Sequence, residues 1–481
     1  MDQDLSWWAE VVFDDWRRRP GPRYQRLASA LLDAVDSGAL RGGVRVPAER
    51  QLAAAVGVSR GTVVACFEHL VAAGVLRRRQ GSGTYVVGRP SWASGPALSS
   101  VATLLLRRMA GGRQSIDLSV SCPSDLRHLP AVDPAAAWAA LDGNGLDPAG
   151  LPELRDEVAR HLTEQQQLPT QASQIVITVG CQEALWLLSQ AIRPRSGPLV
   201  TTCPTYPGLA GAFAGSRRDL VLVPADAAGA DPNAIGRAGR TAGSIVYLMP
   251  TGHNPTGTVM PTVRRQSIAA IADGGRATII EDLSLADLTL DTGPPPPLAA
   301  LSTRVVAVGS ASKLLWGGLR VGWIRADEPL RSAILARKAA LNLATAAIGQ
   351  KLTAQLLAGA GPAWLATHRA ALARRRDHLI GLLAAHLPAW QVTPPTAGLS
   401  LWIELPLESA DAFAHVAARY GVTIAAGSTA CLDDHHLRYV RLSFAEQLDT
   451  LELAVQRLAA AWEAHTANLA AGLLSSPRRT G

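Results

Sequence analysis

A chain of 481 residues, 48% hydrophobic and 18% charged, is too apolar for general disorder and too long for one ordinary core, so two or three domains are expected. Its formal net charge of +7 favours an anionic partner, and 13 arginines against 9 acidic residues place +4 of that excess within residues 1–90. No apolar run approaches the roughly 18 residues of a membrane span, and no basic start leads into an apolar stretch and a cleavage site, which predicts a cytoplasmic chain with no membrane partner. The five cysteines (Cys66, Cys122, Cys181, Cys203, Cys431) include no CxxC pair, so they predict neither a disulfide framework nor a metal site and read as reduced packing residues.

Tyr24, Leu27, Ala28, Leu31, Leu32 and Val35 recur at helical spacing, and Gly38 follows as a stop. A second helix is expected from Pro47 to a stop at Gly57. Ser59 then stands where it can cap a third helix, whose buried stripe is Val63, Val64, Phe67, Leu70 and Val71 and whose exposed start is Arg60, Gly61 and Thr62. Two helices joined by a tight turn, the second opening on a cation and small hydroxyls, suit a recognition helix that presents its N-terminus to the major groove. Val75–Arg79, the turn 80–83 and Thr84–Val87 follow as a β-hairpin, whose three consecutive arginines cannot all face a core. A bland alternative is a winged helix kept only for protein contacts. The strings Val46-Pro47-Ala48-Glu49-Arg50, Val58-Ser59-Arg60-Gly61-Thr62-Val63 and Gln80-Gly81-Ser82-Gly83-Thr84 resemble the GntR family of winged-helix regulators. That resemblance implies DNA contacts at Arg50, Ser59, Arg60, Thr62 and the wing-tip Gly81 on double-stranded DNA.

Residues 88–115 mix Gly, Pro, Ser and Arg and read as a linker, with a short helix possible over 101–109. From Ile116 onward, apolar runs at 175–178, 245–248, 277–280 and 305–308 alternate with longer amphipathic stretches, the pattern of buried parallel strands joined by helical crossovers. Only three of the 46 Lys and Arg residues are lysines, and Lys313 alone directly follows a buried strand; Lys338 and Lys351 read as solvated surface charges. A primary amine can condense with an aldehyde, which a guanidinium cannot.

The run Ser310-Ala311-Ser312-Lys313 with Gly318-Leu319-Arg320-Val321-Gly322-Trp323 resembles the signature of fold-type I pyridoxal-phosphate enzymes. The resemblance implies that Lys313 holds pyridoxal 5'-phosphate as an internal aldimine, while Ser310, Ser312 and Arg320 bind its phosphate. By the same resemblance Asp282 pairs with the pyridine nitrogen and Asn254, in His253-Asn254-Pro255-Thr256-Gly257, bonds the ring oxygen. The resemblance further implies that Gly180, Cys181 and Gln182 form the phosphate turn at a helix start and that Tyr206 stacks on the ring, where a packed core tyrosine is the alternative. Arg441, in Arg438-Tyr439-Val440-Arg441-Leu442, is implied to clamp a ligand carboxylate.

The two resemblances together span nearly the whole chain and match the MocR family, in which a GntR-type winged helix is fused to a fold-type I aminotransferase-like domain. The expected architecture is multidomain: a winged helix-turn-helix over 1–87, a linker over 88–115, an α/β aminotransferase-like domain with a smaller C-terminal α/β subdomain over 116–465, and a flexible tail over 466–481. The family implies a transcriptional regulator that senses an amine, an amino acid or pyridoxal phosphate and forms a head-to-tail homodimer. An active aminotransferase with a secondary winged helix is the alternative. Two departures weigh on turnover. Gly145 stands where the family's tyrosine reaches the partner subunit's phosphate, and Ser284 replaces the tyrosine of the usual Asp-x-Tyr.

Overall fold

The computed structural model describes residues 5–19, 21–36, 40, 43–72, 75–79, 82–86, 115–194, 196–216, 218–433 and 435–474. All but Ser115 of the expected linker over 88–115, its helix at 101–109, the helix stop at Gly38, the wing-tip Gly81 and the last residues of the expected tail lie outside these. The chain divides into two compact units, one of 1–115, 409–423 and 457–481, the other of 116–408 and 424–456.

In the first unit α1 (Arg23–Asp36), α2 (Glu49–Val56) and α3 (Arg60–Ala72) accompany a sheet of β1 (Arg45–Val46), β2 (Leu76–Arg79) and β3 (Gly83–Val86), ordered β1-β3-β2. The helix stripes meet as their spacing dictates: Leu27 and Leu31 from α1, Leu52 and Val56 from α2, and Val63, Phe67 and Leu70 from α3 form one core. The expected stripe on α3 needs adjustment, because Val71 is exposed and Cys66 takes a core position. The core also holds Trp8, Val12, Phe13 and Trp16 from the segment ahead of α1, which no periodicity in the sequence marked. Full burial of such a side chain stabilises by about 1.5–3 kcal/mol, so these four aromatic and aliphatic groups are a sizeable part of a small core. β2 and β3 pair antiparallel with Arg77 opposite Tyr85 and Arg78 opposite Thr84, and both arginines are exposed.

The second unit is built on a seven-stranded sheet. Its strands are β4 (Ile175–Thr178), β5 (Leu199–Thr202), β6 (Leu220–Val223), β7 (Ser244–Leu248), β8 (Ala277–Asp282), β9 (Val305–Ser310) and β10 (Gly322–Arg325), in the order β4-β10-β9-β8-β7-β5-β6. Every residue of β4, β5, β7, β9 and β10 is buried, which explains why these strands read as continuous apolar runs rather than alternations. The pairings from β9 through β8, β7 and β5 to β6 are parallel, whereas β10 runs antiparallel between β9 and β4. A smaller sheet of β11 (Gln391–Thr393), β12 (Ser400–Glu404), β13 (Ala425–Ala426) and β14 (Tyr439–Ser443) is ordered β11-β12-β14-β13 and wholly antiparallel. The architecture is therefore the expected winged helix plus an α/β domain with a smaller C-terminal sheet.

Candidate functional site

The chemistry of the second unit gathers where β4, β8 and β9 end, the edge at which open α/β sheets place ligands. β9 stops at Ser310, whose Oγ accepts the Ser312 N–H at 3.2 Å and caps the short helix α4 (Ala311–Leu314). The cap turns Lys313 off the strand end, and its Nζ donates to the Ser121 carbonyl at 2.8 Å. Burial pushes the Lys313 amine below its ordinary value; the Arg441 guanidinium acts in the same direction, while Cys122 and Asp282 oppose it.

Asp282 closes β8 and is 2% exposed. Its Oδ2 accepts from the Tyr247 hydroxyl at 2.8 Å and the Cys181 thiol at 3.2 Å, and its Oδ1 accepts the Ser284 N–H at 2.9 Å. Burial, reinforced by the Asp282 charge, pushes both the phenol and the thiol well above their usual values, so both remain donors to the carboxylate. Tyr247 is a site residue that the sequence concealed inside an apolar strand.

Helix α5 (Cys181–Ala191) begins after Gly180, whose φ of +117° is a conformation that side chains avoid. A Cβ there would also lie 3.2 Å from Nη2 of Arg320, which donates to the Val179 carbonyl at 2.6 Å. Glu183 secures the same turn: its carboxylate accepts the Val179 N–H at 2.6 Å and Nδ2 of Asn342 at 2.5 Å, with Nζ of Lys338 3.7 Å away. Lys338 is accordingly not the solvated surface charge its sequence suggests, since it is 0% exposed. Lys351 likewise lies mostly covered, paired with Glu153 at 2.6 Å. Tyr206 is tied to this turn by its hydroxyl, which donates to Oε1 of Gln182 at 3.1 Å.

From the small sheet, buried Arg441 on β14 donates through Nη1 to Oδ1 of Asn254 at 2.8 Å and through Nη2 to the Ser119 carbonyl at 2.5 Å. Burial lowers this guanidinium to about 10, which leaves it charged at neutral pH. Its Nε, together with Ser121 Oγ, is buried with no hydrogen-bond partner among the described residues. These orphaned atoms, the first-turn amides of α5, the Ser310 and Ser312 hydroxyls, the Arg320 cation and the Lys313 amine form a donor set that suits a phosphate-bearing aldehyde on a pyridine ring. Gly145 holds φ at +69°, where a tyrosine would be strained.

The cysteines are not all scattered packing residues. Sγ of Cys203 and Sγ of Cys431, 228 positions apart in the chain, lie 3.3 Å from each other.

In the first unit, Gly57 at φ +70° turns the chain between α2 and α3. Ser59 caps α3, its Oγ accepting the Thr62 N–H at 3.2 Å and meeting the Thr62 hydroxyl at 2.9 Å. Arg50, Ser59 and Arg60 are exposed and Thr62 half-buried. Glu49 stands between two arginines, 3.3 Å from Arg60 at the start of α3 and 3.4 Å from Arg78 on the hairpin. This carboxylate links the recognition-type helix to the wing, a connection that no sequence spacing announces.

Residues 114–458 match the aminotransferase class I and II family, and residues 23–86 match the bacterial regulatory proteins of the gntR family. The chain is 27% identical over 421 residues to an uncharacterized HTH-type transcriptional regulator, YisV of Bacillus subtilis, covering 80% of this chain and 85% of that one. It is also 27% identical over 384 residues to the HTH-type pyridoxine biosynthesis transcriptional regulator PdxR of Corynebacterium glutamicum, covering 78% and 81%. Among solved structures, an archaeal alanine:glyoxylate aminotransferase superposes with a TM-score of 0.69 at 27% identity, over 78% of this chain and 96% of that one.

Proposed function

We propose that this chain, which belongs to the aminotransferase class I and II family and carries a gntR-family helix-turn-helix domain, is a cytoplasmic transcriptional regulator of the MocR type that binds DNA and senses a small amine, an amino acid or pyridoxal phosphate. The observation that carries this reading is the presence in one chain of two sets of groups. One is the start of α3, with Ser59 and Arg60 exposed and Thr62 half-buried, and the other is a cluster in which Lys313 lies within electrostatic reach of Arg441 and Asp282. The named relatives YisV and PdxR, matched along most of their length, support it.

When bound, pyridoxal phosphate supplies an aldehyde that condenses with primary amines and a ring that withdraws electrons when its nitrogen is protonated. Lys313 would hold the aldehyde carbon, Asp282 the ring nitrogen, Asn254 the ring oxygen, and Ser310, Ser312, Arg320 and the turn at 180–182 the phosphate. Tyr247 and Cys181 keep the Asp282 carboxylate oriented as an acceptor. Arg441 stays cationic and offers its unpaired Nε to a ligand carboxylate. A bound amine or amino acid would change DNA affinity only as far as it binds the two states of the protein differently. A head-to-tail homodimer belongs to the same reading, and it would present two winged helices to paired half-sites.

The test is a titration of the full chain against the DNA upstream of its own gene at moderate salt, with and without pyridoxal phosphate. Binding at least ten times tighter than to an unrelated duplex is expected. Equal affinity for both duplexes under both conditions refutes the proposal. The intact set of Lys313, Asp282 and Arg441 supports a second reading, an aminotransferase. Sustained turnover of an amino donor and keto acceptor, abolished in Lys313→Ala, would select it over sensing alone.

A further inference from the structure

Cys203 follows β5, and Cys431, Asp433 and His436 lie on the segment between β13 and β14. The fold brings one ligand-type atom from each within 4.8 Å of all the others. Sγ of Cys203 is 3.3 Å from Sγ of Cys431, 2.9 Å from Oδ1 of Asp433 and 3.9 Å from Nδ1 of His436. Sγ of Cys431 is 3.2 Å from the same Asp433 oxygen and 3.8 Å from the same His436 nitrogen. The edges of a tetrahedron around Zn2+ would be about 3.3–3.8 Å for these atom types, given metal–ligand bonds of about 2.0–2.3 Å. The sulfur edges observed lie within roughly 0.7 Å of that range, so small side-chain movements complete the geometry.

We propose that Cys203, Cys431, Asp433 and His436 form a Zn2+ site that staples the segment leading to Tyr206 onto the loop leading to Arg441. Two sulfurs, an imidazole and a carboxylate in a tetrahedral cluster are a donor set for a borderline-soft divalent cation, and Mg2+ or Ca2+ would select all-oxygen ligands instead.

The surroundings have the character of an outer ligand shell. The Leu432 N–H donates to Sγ of Cys203 and the His436 N–H to Sγ of Cys431, both at 3.3 Å. Such bonds disperse charge on metal-bound sulfur. Nδ1 of His435 holds the outer oxygen of Asp433 at 2.9 Å, which leaves the inner oxygen facing the sulfurs. The loop is also built for close approach: a Cβ at Gly427 would lie 2.0 Å from the His436 carbonyl oxygen, so only glycine lets His436 fold back over Cys431. The Thr205 N–H already donates to the Ala430 carbonyl at 2.9 Å, and the metal would lock that contact. Cys203, Asp433 and His436 line a cavity of about 810 Å³, through which a hydrated ion can enter. Binding replaces the thiol protons by the metal and releases them to solvent.

The test uses the reduced full chain, stripped with a chelator and titrated with Zn2+, and in parallel with Co2+ as a spectroscopic substitute. One Zn2+ per chain is expected, together with thiolate-to-cobalt charge-transfer bands and strong tetrahedral d–d bands. Cys203→Ser combined with Cys431→Ser should abolish the charge-transfer bands and weaken Zn2+ binding by about a hundredfold or more, and Cys66→Ala should change neither. His436→Ala keeps both sulfurs and should weaken binding by about 10–100-fold while the charge-transfer bands persist, which separates ligand loss from misfolding. A reduced wild-type chain that takes up no Zn2+ on titration, or a double serine variant that binds Zn2+ as tightly as wild type, overturns the proposal.

Discussion

On the proposed reading Lys313 is the residue that meets the cofactor's aldehyde, and its acidity is set by what surrounds it. Burial disfavours its ammonium form, and the Arg441 charge adds to that effect against the opposing Cys122 and Asp282. Only the neutral amine attacks an aldehyde, so loading with pyridoxal phosphate should accelerate as pH rises and level off below the pH at which a free lysine would. Arg441→Leu removes a neighbouring positive charge, raises the amine's pKa and should move the loading curve to higher pH. Stopped-flow absorbance at a series of pH values measures this, and a curve that does not move would show that Arg441 does not act on Lys313. The type of each residue in this pocket was legible in the sequence because Ser310, Ser312, Lys313 and Arg320 fall in one short run. The partners were not: Tyr247 is one polar group in an all-buried strand, and Ser119 and Ser121 offer backbone carbonyls, which any residue carries.

Individual elements carry two further expectations. At the start of α5, Glu183 holds the Val179 N–H and is backed by fully buried Lys338. Lys338→Met leaves a buried carboxylate without its cation, a change that costs about 3–5 kcal/mol. Thermal melts should fall, and pyridoxal phosphate affinity should drop about tenfold or more as the turn loosens. Adding Glu183→Gln should recover most of the lost stability, because the uncompensated charge is then gone. No recovery would mean that the lysine acts through packing alone. At the start of α3, Arg60 stands exposed above its Ser59 cap, 3.3 Å from Glu49. If it meets a phosphate, Arg60→Ala should weaken all duplexes alike and lower the salt slope of binding by about 1; if it reads a base, the loss of about 1–3 kcal/mol should fall on one sequence position. Equal affinity and slope in the variant would remove Arg60 from the interface. Helix and strand stripes made these elements readable in advance, whereas Trp8, Val12, Phe13 and Trp16 joined the winged-helix core without any regular period. The cluster of Cys203, Cys431, Asp433 and His436 was equally hidden, because metal-ligand spacing is a sequence signal only when the ligands come from neighbouring turns.

At the scale of the molecule, two contiguous motif sets gave the two-module architecture directly, and the matches to residues 23–86 and 114–458 fall on those sets. What a pair of modules adds to either alone is coupling, which has a definite thermodynamic form. If an amine shifts DNA affinity by some factor, operator DNA must shift the amine's affinity by the same factor, and such couplings are commonly about 5–150-fold. Titrating the pyridoxal-phosphate-loaded full chain with operator DNA at zero and saturating amine gives one leg, and titrating amine with and without DNA gives the other. The two factors should agree, and both should collapse to unity in Lys313→Ala, which has no amine to hold the aldehyde and no linkage for the effector to displace. A wild-type chain whose DNA affinity is indifferent to every amine, while it turns over amino donors, would instead be an enzyme whose winged helix is secondary. The charge distribution sharpens the choice of conditions. Residues 1–90 carry +4 of the chain's +7, so their DNA affinity falls steeply with salt, and both legs of the cycle must be measured at the same ionic strength for the comparison to hold.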